Sequence, residues 1–299
     1  MKLEVGVATD VGKRKQTNED NYATYLPGDS AAPGLKDGGL LVVADGLGGH
    51  FAGEVASKLA VTIMRDFLKV ERDKSSNIPK LLVETAQKAN EQINSANRGL
   101  KGFFRPMGTT LTVVFVEGDI AYFCHVGDSR GYLLRGTRMV QVTQDHSWVD
   151  EQVRNGLMTA EEARRDPRRN VLTRTLGTRP DTTIDTYEKR LLPGDMLLLC
   201  SDGISNMVTD AEMLKTCNEA ETPQDAAEEL VAIANDRGAP DNITALVAVV
   251  EPSMSQFAVK KLRRSAKLVA KTALKTILCL AALVAAFLLG YYVRGANPL

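Results

Sequence analysis

Five aspartates recur in one setting, the end of an apolar strand or the turn beside it. Asp20 lies in TNEDN shortly after the first apolar run, Asp45 ends LLVVADG, and Asp202 ends MLLLCSDG. Asp241 immediately precedes ITALVAVV, and Asp128 sits in HVGDSRG. One strand-end aspartate is an ordinary turn former. Several meeting at one edge of a core would do different chemistry, because clustered carboxylates repel and raise one another's pKa unless a cation neutralises them. Glycines at Gly46, Gly48, Gly49 and Gly203 would let the backbone approach such a cation and offer carbonyl ligands. Sequence alone does not bring the acids together.

The elements that would have to position them are short. Apolar runs predict strands at Leu3–Ala8, Leu40–Ala44, Thr109–Val116, Ile120–His125, Gly131–Arg135, Arg138–Gln141, Met196–Cys200 and Ile243–Val250. Glu117-Gly118-Asp119 and Gly136-Thr137 join neighbouring strands as hairpin turns, so the sheet is expected to be mainly antiparallel. Helices are expected at Gly53–Val70, at Asn77–Asn97 with Asn77 as cap and Pro79 in the first turn, and at Pro223–Asp236. The charged stretch between Ser147 and Arg174 has weak helical periodicity and reads as a mobile excursion from the core. Strands with helices between them in this order imply an α+β sandwich, with helices covering stacked sheets.

The end of the chain changes character. Thr276–Val293 carries no charge and would cover roughly 27 Å as a helix, close to a hydrocarbon core of about 30 Å. It is expected to span a membrane, with Tyr291 and Tyr292 at the interface. Lys260, Lys261, Arg263, Arg264, Lys267, Lys271 and Lys275 precede it and Arg294 alone follows. The positive-inside rule then places the large N-terminal part in the cytoplasm. The basic run is either a contact for anionic lipid or a solvated linker.

Bulk composition adds exclusions. Of 299 residues, Lys plus Arg and Asp plus Glu both total 37, so net charge points to no nucleic-acid partner. The N-terminus has no apolar h-region of a secretory signal. Cys124, Cys200, Cys217 and Cys279 form no C-x-x-C pair and read as buried thiols of a reducing compartment.

Eight strings stand in a telling order: TDVGKRKQTNEDN, VVADGLGGHFAGEVAS, GTTLTVV, HVGDSRGYLLR, VTQDHS, NVLTRTLG, LLLCSDGISN and APDNITALVAV. In order and spacing they resemble the metal-dependent serine/threonine phosphatases of the protein phosphatase 2C type, bacterial branch. The resemblance covers residues 3–250. It implies a four-layer α-β-β-α sandwich of two mainly antiparallel sheets flanked by helices, to which this chain would add the C-terminal transmembrane helix. The division expected is a catalytic domain at 1–251 with a flap at 147–174, a basic juxtamembrane linker at 252–275, and the span at 276–293.

Residue by residue, the resemblance implies a binuclear metal centre. Asp45 would bridge two ions and the Gly46 carbonyl would help hold one. Asp202 and Asp241 would bind one ion, Asp20 and Glu19 the other directly or through water, and Asp128 a third, weaker ion. All-oxygen ligation suits hard ions, Mg²⁺ or Mn²⁺. Such ions can bind phosphate oxygens and lower the pKa of a water from near 16 towards about 7. No phosphoenzyme is then needed, which fits the lack of a D-x-D-x-T/V motif, and Ser201 has no histidine paired with it by motif.

The chain departs from the family at two places. Where an arginine usually grips the substrate phosphate stands Lys15, beside Arg14, and either could serve. Where the eukaryotic members have a candidate general acid stands Leu47, leaving His50 or a metal-bound water for that role. His146 and His125 read as structural. Flap arginines such as Arg164 and Arg169 either contact a phosphoprotein or are solvated. The expected partners are phosphorylated proteins, a cognate serine/threonine kinase and membrane lipid. The expected state is a monomer at the inner membrane, and the alternative is a catalytically silent tethered module that binds phosphoproteins.

Overall fold

The structure, a computed structural model, describes residues 1–30, 35–48, 51–66, 77–99 and 106–251. The strands are β1 (Leu3–Asp10), β2 (Asp20–Tyr25), β3 (Gly39–Leu47), β4 (Gly108–Thr109), β5 (Leu111–Glu117), β6 (Ile120–Val126), β7 (Arg130–Arg135), β8 (Arg138–Gln141), β9 (Asp185–Arg190), β10 (Met196–Cys200) and β11 (Ile243–Val250). The helices are α1 (Phe51–Asp66), α2 (Ile78–Gly99), α3 (Trp148–Arg154), α4 (Ala160–Arg165), α5 (Asp202–Ser205), α6 (Asp210–Glu219) and α7 (Pro223–Asp236).

Period-two alternation in the apolar strands divides their side chains between separate cores. Leu40, Val42 and Ala44 of β3 and Val113 and Phe115 of β5 pack with Ala60, Met64, Leu82 and Ala86 of α1 and α2. Ile243, Ala245 and Val247 of β11 pack with Leu230 and Ala234 of α7. The intervening residues, Leu41, Val43, Val114, Val116, Leu197, Leu199, Leu246 and Ala248, meet between the sheets. A residue buried there, such as Phe123, would cost about 3–5 kcal/mol if truncated to alanine.

One sheet runs β1-β11-β10-β7-β8 and the other β2-β3-β5-β6-β9, with β4 added to β3. All pairings are antiparallel. The layers are thus helix, sheet, sheet, helix, as the α+β reading expects. Asn77 accepts the Lys80 N–H at 3.1 Å, capping α2.

Two strands escaped the sequence reading. β2 and β9 are the edges of their sheet, mostly half-buried or exposed, so no apolar run is required. The stretch expected as a mobile excursion contains α3 and α4. Ser147 caps the first and Thr159 forms a capping box with Glu162 on the second, and the Arg168 guanidinium stacks 3.6 Å over Trp148.

One expectation needs correction. Among the described residues no helix is long and apolar enough to cross a membrane. The segment Thr276–Val293 and its basic linker lie outside the described residues. The transmembrane part of the expected fold is therefore withdrawn, and with it the lipid contact and the inner-membrane location that rested on it.

Candidate metal centre

β2 begins with Asp20, and its register with β3 sets Asp20 directly opposite Asp45. Paired residues of antiparallel strands share a face, so the two carboxylates leave the sheet side by side. The backbone of Asp45 is fixed on both sides. Its N–H donates to Thr110 Oγ1 at 2.9 Å, and its carbonyl accepts from Thr110 N and Thr109 Oγ1, each at 2.9 Å. Gly46 follows with no room for a side chain, since a Cβ there would collide with the Gly53 carbonyl of α1.

Asp20 is buried, and its Oδ2 accepts from Ser201 Oγ and Thr244 Oγ1, each at 2.7 Å. Ser201 Oγ also accepts the Thr244 N–H at 3.0 Å. These contacts cross from β2 to the other sheet and aim Asp20 Oδ1, which has no partner. Burial pushes Asp20 up to about 6, against the downward pull of Thr244 and Ser201.

The turn carrying Glu19 is fastened by Asn242. Its Oδ1 accepts the Glu19 N–H at 2.9 Å, while its Nδ2 donates to the carbonyls of Val11 and Thr17 at 3.0 and 2.9 Å. Glu19 Oε1 is buried without a partner, and burial raises its pKa despite Lys15. Lys15 Nζ stands 2.7 Å from Asp241 Oδ1 and 3.7 Å from Glu19 Oε2. Arg14 is exposed.

Asp202 opens α5, its Oδ2 accepting from Asn206 and its Oδ1 unpartnered and buried. Asp128, between β6 and β7, is pushed up to about 7 by burial and then by Asp145. Asp45 is driven well above the carboxylate range by burial first, then by the charges of Asp20, Asp202, Asp128 and Asp241. Asp202 is raised by burial and then by Asp128, Asp241 and Asp20. The charges of the other four aspartates therefore all reach Asp45. Asp128, Asp202 and Asp241 line one cleft of roughly 870 Å³, whose far wall includes Val149, Val153, Ala163 and Arg169 of the flap.

Among the described residues no three His, Cys, Asp or Glu side chains form a closed cluster around a single point. A hard cation is commonly held through one or two carboxylates, with water and phosphate oxygens completing its shell. The residues fit such ions. Three buried carboxylate oxygens, on Glu19, Asp20 and Asp202, lack any partner, which is costly unless a cation meets them. His50 lies outside the described residues. Sequence reasoning missed Asn242, Thr244 and Thr110, and it dismissed Ser201 as a nucleophile without seeing its work on Asp20. The polar residues flanking each strand-end aspartate were the available signal.

Comparisons with known proteins identify the family. The family described as Protein phosphatase 2C matches residues 13–246. A serine/threonine phosphatase, stp, of Listeria innocua is 37% identical over 253 residues, covering 83% of this chain and 95% of that protein. Protein phosphatase PhpP of Streptococcus pneumoniae is 34% identical over 251 residues, covering 83% and 98%. Among solved structures, the Mycobacterium tuberculosis serine/threonine phosphatase PstP/Ppp superposes with a TM-score of 0.74 at 32% identity, over 84% of this chain and 100% of that one. A structure of the PstP catalytic domain in complex with two manganese ions gives 0.71 at 31% identity, over 83% and 98%. A divalent-metal cofactor is thus found in the family. The chain belongs to the protein phosphatase 2C family and is an enzyme, a serine/threonine protein phosphatase of the phosphoric monoester hydrolase class.

Proposed function

We propose that the enzyme hydrolyses phosphoserine and phosphothreonine on proteins at a binuclear Mg²⁺ or Mn²⁺ centre and opposes a serine/threonine kinase. Asp45 would be shared by both ions and the Gly46 carbonyl would help hold one. Asp202 and Asp241 would hold one ion, Asp20 and Glu19 the other directly or through water, and Asp128 a third. When bound, the cations neutralise the phosphate dianion and acidify a water for attack on phosphorus. The observation that carries the reading is the Asp20–Asp45 register together with the partnerless oxygens beside it.

The chain's own groups have distinct tasks. Ser201 and Thr244 hold Asp20 in one orientation, and Asn242 sets the turn bearing Glu19. Ser201 Oγ is engaged with Asp20 and Thr244, which argues against a serine nucleophile. Lys15, held cationic by Asp241 and Glu19 against the effect of burial, would receive a phosphate oxygen, with Arg14 beside it as the alternative. A lysine offers a point charge where an arginine would offer a bidentate fork. The proton for the leaving alkoxide would come from His50 or from a metal-bound water. Residues 1–251 would be the catalytic domain, with the flap of 147–174 forming a wall of the substrate cleft.

The catalytically silent alternative has only Lys15, in place of the family's arginine, in its favour, and every expected acid is present and described. Phosphate release from a phosphothreonine peptide, in Mn²⁺ and in chelator, tests the reading against a small-metabolite phosphatase. Preference for small sugar or nucleotide esters over the peptide would reject it.

A further inference from the structure

Both ends of the flap close on one buried side chain. His146 is 1% exposed. Its backbone N–H donates to the Gly127 carbonyl at 2.7 Å, and its carbonyl accepts the Thr173 N–H at 2.8 Å. One residue on, Ser147 bridges Leu172, and the Trp148 N–H donates to the Val171 carbonyl at 2.8 Å. The flap therefore leaves and rejoins the core as a short antiparallel ladder that starts at His146.

The imidazole faces the other way. Nδ1 accepts the Gly127 N–H at 3.1 Å, so Nε2 carries the ring proton and donates to Asp185 Oδ2 at 3.0 Å. Asp185 also accepts from Arg174 at 3.1 Å, and Arg174 is the last residue of the flap, next to Thr173 of the ladder. His125, its ring centroid 4.9 Å away, supports the imidazole from β6 and reaches the Gln144 carbonyl at 3.1 Å. Burial lowers the pKa of His146, which keeps Nδ1 free to accept. Gly127 immediately precedes Asp128, and Ser129 on its other side meets Thr110, the residue that receives the Asp45 N–H.

We propose that His146 is a positioning residue that fixes the Gly127–Asp128 turn through Nδ1 and the flap base through Asp185, so that one side chain sets both the cation affinity of Asp128 and the seating of the flap. The inference rests on the reading that Asp128 holds a cation. It assigns His146 no contact with substrate or ion.

The two arms can be separated, because Asn places an oxygen near the Nδ1 position and Gln places a donor near Nε2. Mn²⁺ binding by calorimetry, with hydrogen exchange at segments 126–130 and 147–173, is compared for wild type, His146→Asn, His146→Gln and Asp128→Asn. His146→Gln is expected to weaken the Asp128-dependent ion by about 10-fold, the lower end of outer-shell effects, with the flap base still protected. His146→Asn is expected to keep that ion within about twofold while exchange at the flap base rises, since the acceptor remains and only the tie to Asp185 is cut. An Asp128→Asn protein that loses an ion while His146→Gln binds as wild type does overturns the proposal alone. An Asp128→Asn protein that binds every ion as wild type does removes the reading beneath it as well. Both histidine variants keep a polar side chain, and equal exchange in all four proteins at the flap base also counts against the proposal.

Discussion

Lys15 Nζ lies 2.7 Å from Asp241 Oδ1, placing the chain's substitute for a phosphate-gripping arginine in contact with an expected metal ligand. In the proposed reading the ammonium, which already neutralises Asp241, would also meet phosphate. Lys15→Ala is expected to raise KM by about 10-fold or more, the size of a lost charge-assisted contact of about 1.5–3 kcal/mol. Lys15→Arg should retain most of the affinity. Steady-state kinetics on a phosphothreonine peptide decide the matter, and an unchanged KM in the alanine variant would move phosphate binding to Arg14.

Asn242 joins three separate backbone positions, Glu19, Val11 and Thr17. Asn242→Ala would leave a buried N–H and two carbonyls without their partner, and is expected to cost about 2–4 kcal/mol. Calorimetric melting should register a drop of several degrees, together with weaker Mn²⁺ activation. A variant that melts and binds Mn²⁺ like wild type would show that the turn is held by other contacts.

Ser201 distinguishes two chemistries. Because its hydroxyl is engaged with Asp20 and the Thr244 N–H, Ser201→Ala is expected to reduce activity about 10-fold through loss of Asp20 orientation. Complete inactivation, or a phosphoserine trapped on the wild-type chain by acid quench and mass spectrometry, would require a nucleophilic serine instead.

Stability without metal should depend on pH through Asp128. Its folded-state pKa of about 7 stands above the ordinary 3.8, so the folded ion-free chain prefers this carboxyl protonated. That contribution is complete below about pH 4 and is lost as pH rises through about 7. In chelator, Asp128→Asn should therefore melt higher than wild type at about pH 8, by about 2–4 °C if the gain is about 1 kcal/mol, and the gain should vanish near pH 4. A constant difference across that range would mean that burial of Asp128 does not disfavour its charge.

The sequence disclosed the site unevenly, for physical reasons. Asp45 lies near the end of β3 and Asp202 two residues past the end of β10, and the unbroken apolar runs of both strands announce central positions in a sheet, so their placement could be read. Asp20 opens an edge strand, DNYATY, whose partial exposure hides its pairing, and its position opposite Asp45 emerges only from register. Asn242 and Thr244 act across distances of more than 200 residues along the chain, which no local pattern encodes. The flap helices depend on single caps, Ser147 and Thr159, within an otherwise charged stretch. The uncharged run Thr276–Val293 was read as a membrane span from hydropathy alone, and no described helix supports that reading.

In the proposed centre Asp45 would serve both ions, so its replacement tests the centre most directly. Mn²⁺ titration by calorimetry and phosphothreonine-peptide hydrolysis should be measured side by side on wild type and Asp45→Asn, each verified as folded by circular dichroism. The account predicts that Asp45→Asn loses at least one bound ion and about 100-fold or more of its activity. A folded Asp45→Asn protein that binds Mn²⁺ and hydrolyses the peptide as wild type does would contradict it.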